Sequence, residues 1–326
     1  MKHRLVASAI CSIVVGFSAP MSTASGQGYP TKPIRMVTAF SGGSEIVIRM
    51  IADKMSGVLG QSVVVEPMSA ASGVLAAGVV ARAAPDGYTL LVGNSTTHVL
   101  KPVTLKAVSY DPVKDFSPIT NLTVPTFVLG VRADLGIADV PSLLERSKKT
   151  RTLLGGNGVG ATAHVSMLAL NKTGGGSLQF VPYKDDGGSV LALLSGDIEA
   201  AITVGSAMTR VLQDEVNAKK IRVIGLFNNG PRPSFENVRT VAEQVPGFRE
   251  LNSFTGVWGP AGMPPDIVAR LNKVIGEVAQ EAATRERVIT MGSMAVTSTP
   301  EQLGNTVRDE LPKVRALLKK AGIEPE

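Results

Sequence analysis

Apolar positions along the chain follow two rhythms, short β-branched runs and longer stretches with a helical period. Residues 34–38 are apolar and branched, which predicts a strand. Ser41-Gly42-Gly43-Ser44 breaks it, and Val47, Ile51, Met55 and Val58 then share one helical face, with Ser44 the expected cap. Residues 63–65 read as a strand, 69–73 as a small-residue loop, and 75–84 as a helix stopped by Pro85-Asp86-Gly87. A third strand, 89–92, runs into Gly93-Asn94-Ser95-Thr96-Thr97-His98. Further strands are expected at 126–131, 178–181, 200–204 and 221–227, and helices at 142–149, 162–170 and 189–194. Asp266 is expected to cap a helix bearing Ile267, Leu271, Val274 and Val278. Thr299-Pro300-Glu301-Gln302 has the form of a capping box with proline at the first helical position, opening a helix kinked at Pro312.

Repeated strand–helix units predict an α/β protein of parallel sheets covered by helices on both faces. Ligands on such sheets sit in the loops at the carboxyl ends of the strands. That rule selects 41–44, 69–73 and 94–98 in the first third, and 155–162 and 184–189 in the middle. All are rich in Gly, Ser, Thr or Asn, and several precede helices. Backbone N–H groups and hydroxyls at helix N-termini suit a small anion held by neutral donors.

The N-terminus changes the compartment. Lys2, His3 and Arg4 precede an apolar run from Leu5 to Ala19 and then small residues, the layout of a signal peptide over residues 1–26. The run is short of the roughly 20 residues a membrane span needs. Export is expected. The single cysteine, Cys11, lies inside the discarded segment, so the mature chain of this 326-residue sequence cannot hold a disulfide, a zinc–thiolate site or a cysteine nucleophile. Losing Lys2 and Arg4 lowers the formal charge from +6 to +4. Scattered lysine pairs and 4% aromatic residues offer no nucleic-acid surface.

Catalytic motifs are incomplete. Gly42-Gly43 lacks the Gly-Lys-Ser/Thr ending of a phosphate loop, and residues 155–160 lack dinucleotide spacing. Gly93-Asn94-Ser95-Thr96-Thr97 resembles a nucleophile elbow without its last glycine, and His98 is a poor triad partner in the same loop. Two distant histidines, His98 and His164, and the adjacent Asp185-Asp186 supply no spaced metal ligands, so neither metal nor cofactor is expected. Trp258 reads as a core residue.

Nearly the whole mature chain, from Tyr29-Pro30-Thr31-Lys32-Pro33-Ile34 to Ala321-Gly322-Ile323-Glu324-Pro325, resembles the Bug-type extracytoplasmic receptors of tripartite tricarboxylate transporters. The matching segments include residues 84–91, Thr97-His98, 110–119, Gly156-Asn157-Gly158, His164, Val181-Pro182-Tyr183-Lys184, Pro246-Gly247-Phe248 and 259–265. The resemblance implies a two-lobed periplasmic binding protein, type II-like, with residues 29–125 and 253–326 in one lobe and 126–252 in the other. It implies a monomer without catalytic activity that closes on a small carboxylate and delivers it to membrane permease subunits.

Ser41, Gly42, Gly43, Ser44, Ser72, Asn94 and Thr97 are the candidate binding residues of the first lobe. Asn157, Gly158, Ala161, Thr162 and Asp185 are those of the second, with His98 and His164 as second choices. The chain departs from the family pattern on these loops. Glu45 replaces an aspartate, Met68–Gly73 an expected Pro-Gly-Ala-Gly-Gly, Asp185-Asp186 two glycines, and Thr203-Val204 an acid–amide pair. A carboxylate at 185–186 is expected to disfavour tricarboxylates and to favour a monocarboxylate, or an amino or hydroxy acid. Two other readings stay open: a ligand-dependent sensor docking on a membrane receptor, and a secreted hydrolase using Ser95 and His98.

Overall fold

A computed structural model describes residues 28–39, 43–227, 235–320 and 324–325. The signal segment 1–26, Cys11, Ser41 and Gly42 lie outside the described residues. The strands are β1 (Ile34–Thr38), β2 (Val63–Pro67), β3 (Thr89–Asn94), β4 (Phe116–Pro125), β5 (Phe127–Arg132), β6 (Leu153–Asn157), β7 (Gln179–Tyr183), β8 (Ala200–Val204), β9 (Ile221–Leu226), β10 (Thr255–Pro260) and β11 (Ser293–Ala295). The helices are α1 (Gly43–Leu59), α2 (Val74–Ala81), α3 (Lys101–Thr104), α4 (Val140–Lys149), α5 (Thr162–Gly174), α6 (Asp186–Ser195), α7 (Gly205–Leu212), α8 (Glu215–Ala218), α9 (Val241–Gln244), α10 (Pro265–Gln280), α11 (Ala282–Thr290) and α12 (Pro300–Lys320).

Two sheets form two lobes. The first has the order β11-β4-β10-β3-β1-β2 and the second β7-β6-β8-β5-β9. Both are mixed rather than parallel throughout. β1, β2 and β3 run parallel, as do β6, β7 and β8, but β10 is antiparallel to β3 and β4, and β5 is antiparallel to β8 and β9. The reversed strands follow the crossovers, β5 directly after β4 and β10 on the return. A strand entering its sheet from the other lobe starts at the edge where the parallel strands end. Apolar side chains fill both faces of each sheet, with Met36, Leu90 and Leu122 on one face of the first and Leu91, Trp258 and Leu303 on the other. In the second, Leu129, Leu154 and Ile202 oppose Val128, Leu193 and Ala201.

Local signals account for most helix ends. Thr299 and Gln302 exchange the two bonds of a capping box, Thr299 N–H to Gln302 Oε1 at 2.9 Å and Gln302 N–H to Thr299 Oγ1 at 3.2 Å. α12 runs on through Pro312 to Lys320. α10 starts one residue before Asp266, which sits in the first turn and complements the helix dipole instead of capping. α1 starts at Gly43, so Ser44 is inside it rather than its cap.

Register shows where the parallel strands end. Asn94, the last residue of β3, faces Thr255, and Thr255 also faces Thr123 near the end of β4. Val204, the last residue of β8, faces Phe127 at the start of β5. Thr126, between the sheets, donates its N–H to Gly292 O at 3.1 Å and accepts from Gly205 N–H at 2.7 Å. The carboxyl ends of β1–β3 and of β6–β8 therefore open on the same inter-lobe space.

Candidate functional site

Three first-lobe loops meet at one point. Gly73 adopts a φ of 84°, and a Cβ there would lie 2.4 Å from Ala39 Cβ and 2.8 Å from Thr97 Cγ2. Only glycine permits both the backbone angle and that approach. Gly43 and Ser44 open α1, and Ser72 lies in the 3-10 turn Ala70–Gly73. α2 then begins with no side chain capping its N-terminus.

Asn94 and Thr97 form a closed local network. Asn94 N–H donates to Thr97 Oγ1 at 3.0 Å, Thr97 Oγ1 donates to Asn94 O at 2.9 Å, and Thr97 N–H donates to Asn94 Oδ1 at 3.1 Å. Thr97 is 0% exposed. Its hydroxyl shapes the loop and is not a donor turned to a ligand. Asn94 is half-buried at the strand end, the better placed of the two. Tyr110 Oη donates to Thr97 O at 2.6 Å and pins the loop from behind.

His98 belongs to the same structural set. It is fully buried, stacked on Trp258 at 3.9 Å between centroids and 4.9 Å from Phe116, with Nδ1 2.9 Å from Thr97 Oγ1. Burial pushes its pKa down to about 3, so the ring is neutral at any periplasmic pH. Ser95 is 7% exposed, and among the described residues no hydrogen bond joins it to His98. The pairing that the hydrolase reading requires is therefore not formed there.

The second lobe presents a different surface. β6 includes Gly155 and Gly156, read from sequence as loop, because a Cβ at 156 would lie 2.3 Å from Ala163 Cβ and one at 155 would lie 2.5 Å from Ile198 Cδ1. Bare glycines let α5 and the opposite face close on the strand. β6 ends at Asn157, Gly158 turns with a φ of 75°, and Ala161 and Thr162 open α5. No side chain caps α5, nor α7. Unpaired N–H groups and the dipole at such an end favour an anion, but at α7 the Gly205 N–H is already given to Thr126 O at 2.7 Å. His164 lies one turn in. Its Nδ1 accepts Gly160 N–H at 3.0 Å, and its ring packs on Phe180 at 4.5 Å.

Asp185 is exposed and caps α6, its Oδ1 accepting Gly188 N–H at 2.8 Å. That carboxylate serves the helix. The inward-turning one is Asp186, whose Oδ1 is buried without a hydrogen bond. Desolvation raises its pKa to about 6, and the nearby Thr203 hydroxyl and Val204 amide offset this only in part. Sequence reasoning chose Asp185 as the binding residue, with Asp186 beside it, and noted Thr203 only as a departure from the family pattern. It missed Lys101, whose Nζ reaches from the first lobe to Val159 O at 2.7 Å in the second.

Two α/β lobes joined by crossing strands, with uncapped helix N-termini around the space between them, define a periplasmic-binding-protein fold. The chain belongs to the tripartite tricarboxylate transporter family receptors, whose family model matches residues 47–323. Protein BugT of Bordetella pertussis is 27% identical over 329 residues, covering 99% of this chain and 98% of BugT. The structure of Rhodopseudomonas palustris Rpa4515 with adipate matches with a TM-score of 0.83 at 27% identity, covering 91% of this chain and all of that one. MatC from the same organism, with bound malate, matches with a TM-score of 0.79 at 27% identity, over 89% of this chain and all of MatC.

Proposed function

We propose that this chain is a non-catalytic periplasmic receptor that captures a small carboxylate between its lobes and hands it to the membrane subunits of a tripartite transporter. The observation that carries the reading is the pair of N-termini of α2 and α5, capped by no side chain, at the strand ends that open on the inter-lobe space. Adipate and malate in two family structures supply the ligand class. Asn94 from the first lobe, and Asn157, Gly158, Ala161 and Thr162 from the second, are the described candidates for contact. Gly43, Ser44 and Ser72 flank them, and Ser41 and Gly42 belong to the same loop in sequence.

Closure follows from the architecture. Lobes joined by a few strands move as bodies, and a ligand touching both supplies the differential free energy that holds them shut. The signal segment directs the chain to the periplasm, where it works as a monomer. Thermal-shift screening with small mono-, di- and tricarboxylates tests the reading. A ligand at 100 times its Kd should add about 2.7 kcal/mol of stability. A shift with neutral sugars and none with any carboxylate would overturn it.

A further inference from the structure

Three buried side-chain oxygens on the second lobe have no hydrogen-bond partner: Asn157 Oδ1, Asp186 Oδ1 and Thr203 Oγ1. A buried polar atom left unpaired is costly, so three in one region call for an explanation.

The topology brings them together. β6 and β8 are parallel neighbours with Leu154 facing Ala200 and Gly155 facing Ala201, and the same register carried two residues on sets Asn157 level with Thr203. Side chains alternate along a strand. Ala201 packs in the cluster that contains Val190 and Leu193 of α6, and a Cβ at Gly155 would meet Ile198 of that cluster. Asn157 and Thr203, two residues on, therefore point to the α6 side as well. Asp186 is the first residue of α6 and approaches Thr203 and Val204. Two departures from the family pattern, an acid gained at 186 and one lost at 203, thus face each other.

The chemistry of the set is specific. Asn157 Oδ1 and Asp186 Oδ1 can only accept, Thr203 Oγ1 can accept or donate towards Asp186, and one of the three belongs to a carboxylate. A second ligand carboxylate would be repelled there. A hydroxyl could satisfy one of the three, whereas an ammonium has three donors, no acceptor and the opposite charge. We propose that Asn157, Asp186 and Thr203 form an ammonium subsite, so that the captured ligand is an amino carboxylate. The proposal rests on the carboxylate reading above and narrows it.

Calorimetric titration of the mature protein with matched pairs tests it: aspartate against succinate, glutamate against glutarate, and γ-aminobutyrate against butyrate, with butylamine as a further probe. In at least one pair the amino member should bind about tenfold tighter or more, the worth of hydrogen bonds to a charged partner. Asp186→Asn should bring that ratio close to one, and Asp185→Asn, which alters only the cap of α6, should keep it. Thr203→Val should reduce the ratio and stands in if Asp186→Asn does not fold. Des-amino members that bind as well as their partners in every pair, or no binding by any amino member, would overturn the subsite. So would a ratio unchanged in a folded Asp186→Asn. If butylamine matches γ-aminobutyrate and depends on Asp186, the subsite stands and the carboxylate reading falls.

Discussion

The two lobes border the same space with opposite economies of hydrogen bonding. On the first lobe, the side-chain oxygens of Asn94 and Thr97 in the loop after β3 are paired within the loop, while the ring Nε2 of His98 is buried without a partner. Asn94 and Thr97 exchange three bonds, Tyr110 holds the Thr97 carbonyl, and His98 lies flat on Trp258. On the second, Asn157 and Asp186 are half-buried and Thr203 buried, and each hides a side-chain oxygen with no partner. A satisfied network is rigid and cheap to keep, and it presents backbone donors in fixed directions. An unsatisfied one raises the free energy of the empty protein until a partner arrives. On the proposed function, orientation of the ligand falls to the first lobe and discrimination among ligands to the second.

The contrast breaks most severely at Trp258. It is 1% exposed and supports both His98 and Phe254. Trp258→Ala should cost about 3–5 kcal/mol, as large aromatic truncations in cores do, and should be read by denaturant unfolding. A loss below about 1 kcal/mol would mean that the first-lobe platform does not depend on the stack.

Acid sharpens the same point. His98 in the unfolded chain titrates near its ordinary 6.5, and in the fold near 3. The unfolded state therefore takes up the proton first, so stability is full above pH 6.5 and falls as pH drops toward 3. The slope from this residue alone approaches 1.4 kcal/mol per pH unit within that window. Comparison of unfolding free energies of wild type and His98→Gln at pH 7 and pH 5 should show the wild type losing more. Parallel losses would place the acid sensitivity elsewhere.

Thr97→Val removes the hydroxyl and leaves the Asn94 N–H without its partner. It should cost about 1–3 kcal/mol of stability, seen as a lower Tm. Affinity should fall less, through Asn94. A large affinity loss at unchanged Tm would show that the hydroxyl meets the ligand directly.

The smallest effect has the opposite sign. Asp186 titrates near 6 in the fold, above its ordinary 3.8. Its contribution is fully present below pH 3.8 and lost as pH rises through about 6, so at pH 7 the ionised group weighs on the empty protein. Asp186→Asn should therefore raise the Tm of the ligand-free form at pH 7 by an amount worth about 1–2 kcal/mol. The gain should vanish near pH 4. A destabilised variant at pH 7 would contradict the view of the second lobe as strained when empty.

Much of this was legible before any coordinates. β1 and β8 stand out because branched apolar runs between breakers have few alternatives, and the α12 box because its four residues specify their own bonds. β6 was not legible. Gly155 and Gly156 look like a loop until the helices that need their bareness are in place. The direction of β5 and β10 was equally hidden, since it depends on which lobe the chain comes from. At the site, the loops could be chosen from the strand–helix rhythm, but not the roles within them. Asp185 and Asp186 are neighbours with similar local signals. Asp185 caps the helix because α6 starts after it, and Asp186 turns toward Thr203 because α6 packs beside β8, a contact between separate segments.

Native mass spectrometry of the protein purified from its own periplasm tests the central claim most directly, because a retained ligand names itself by mass. The account predicts a small molecule that carries both a carboxylate and an amine. A retained tricarboxylate or neutral sugar would contradict it.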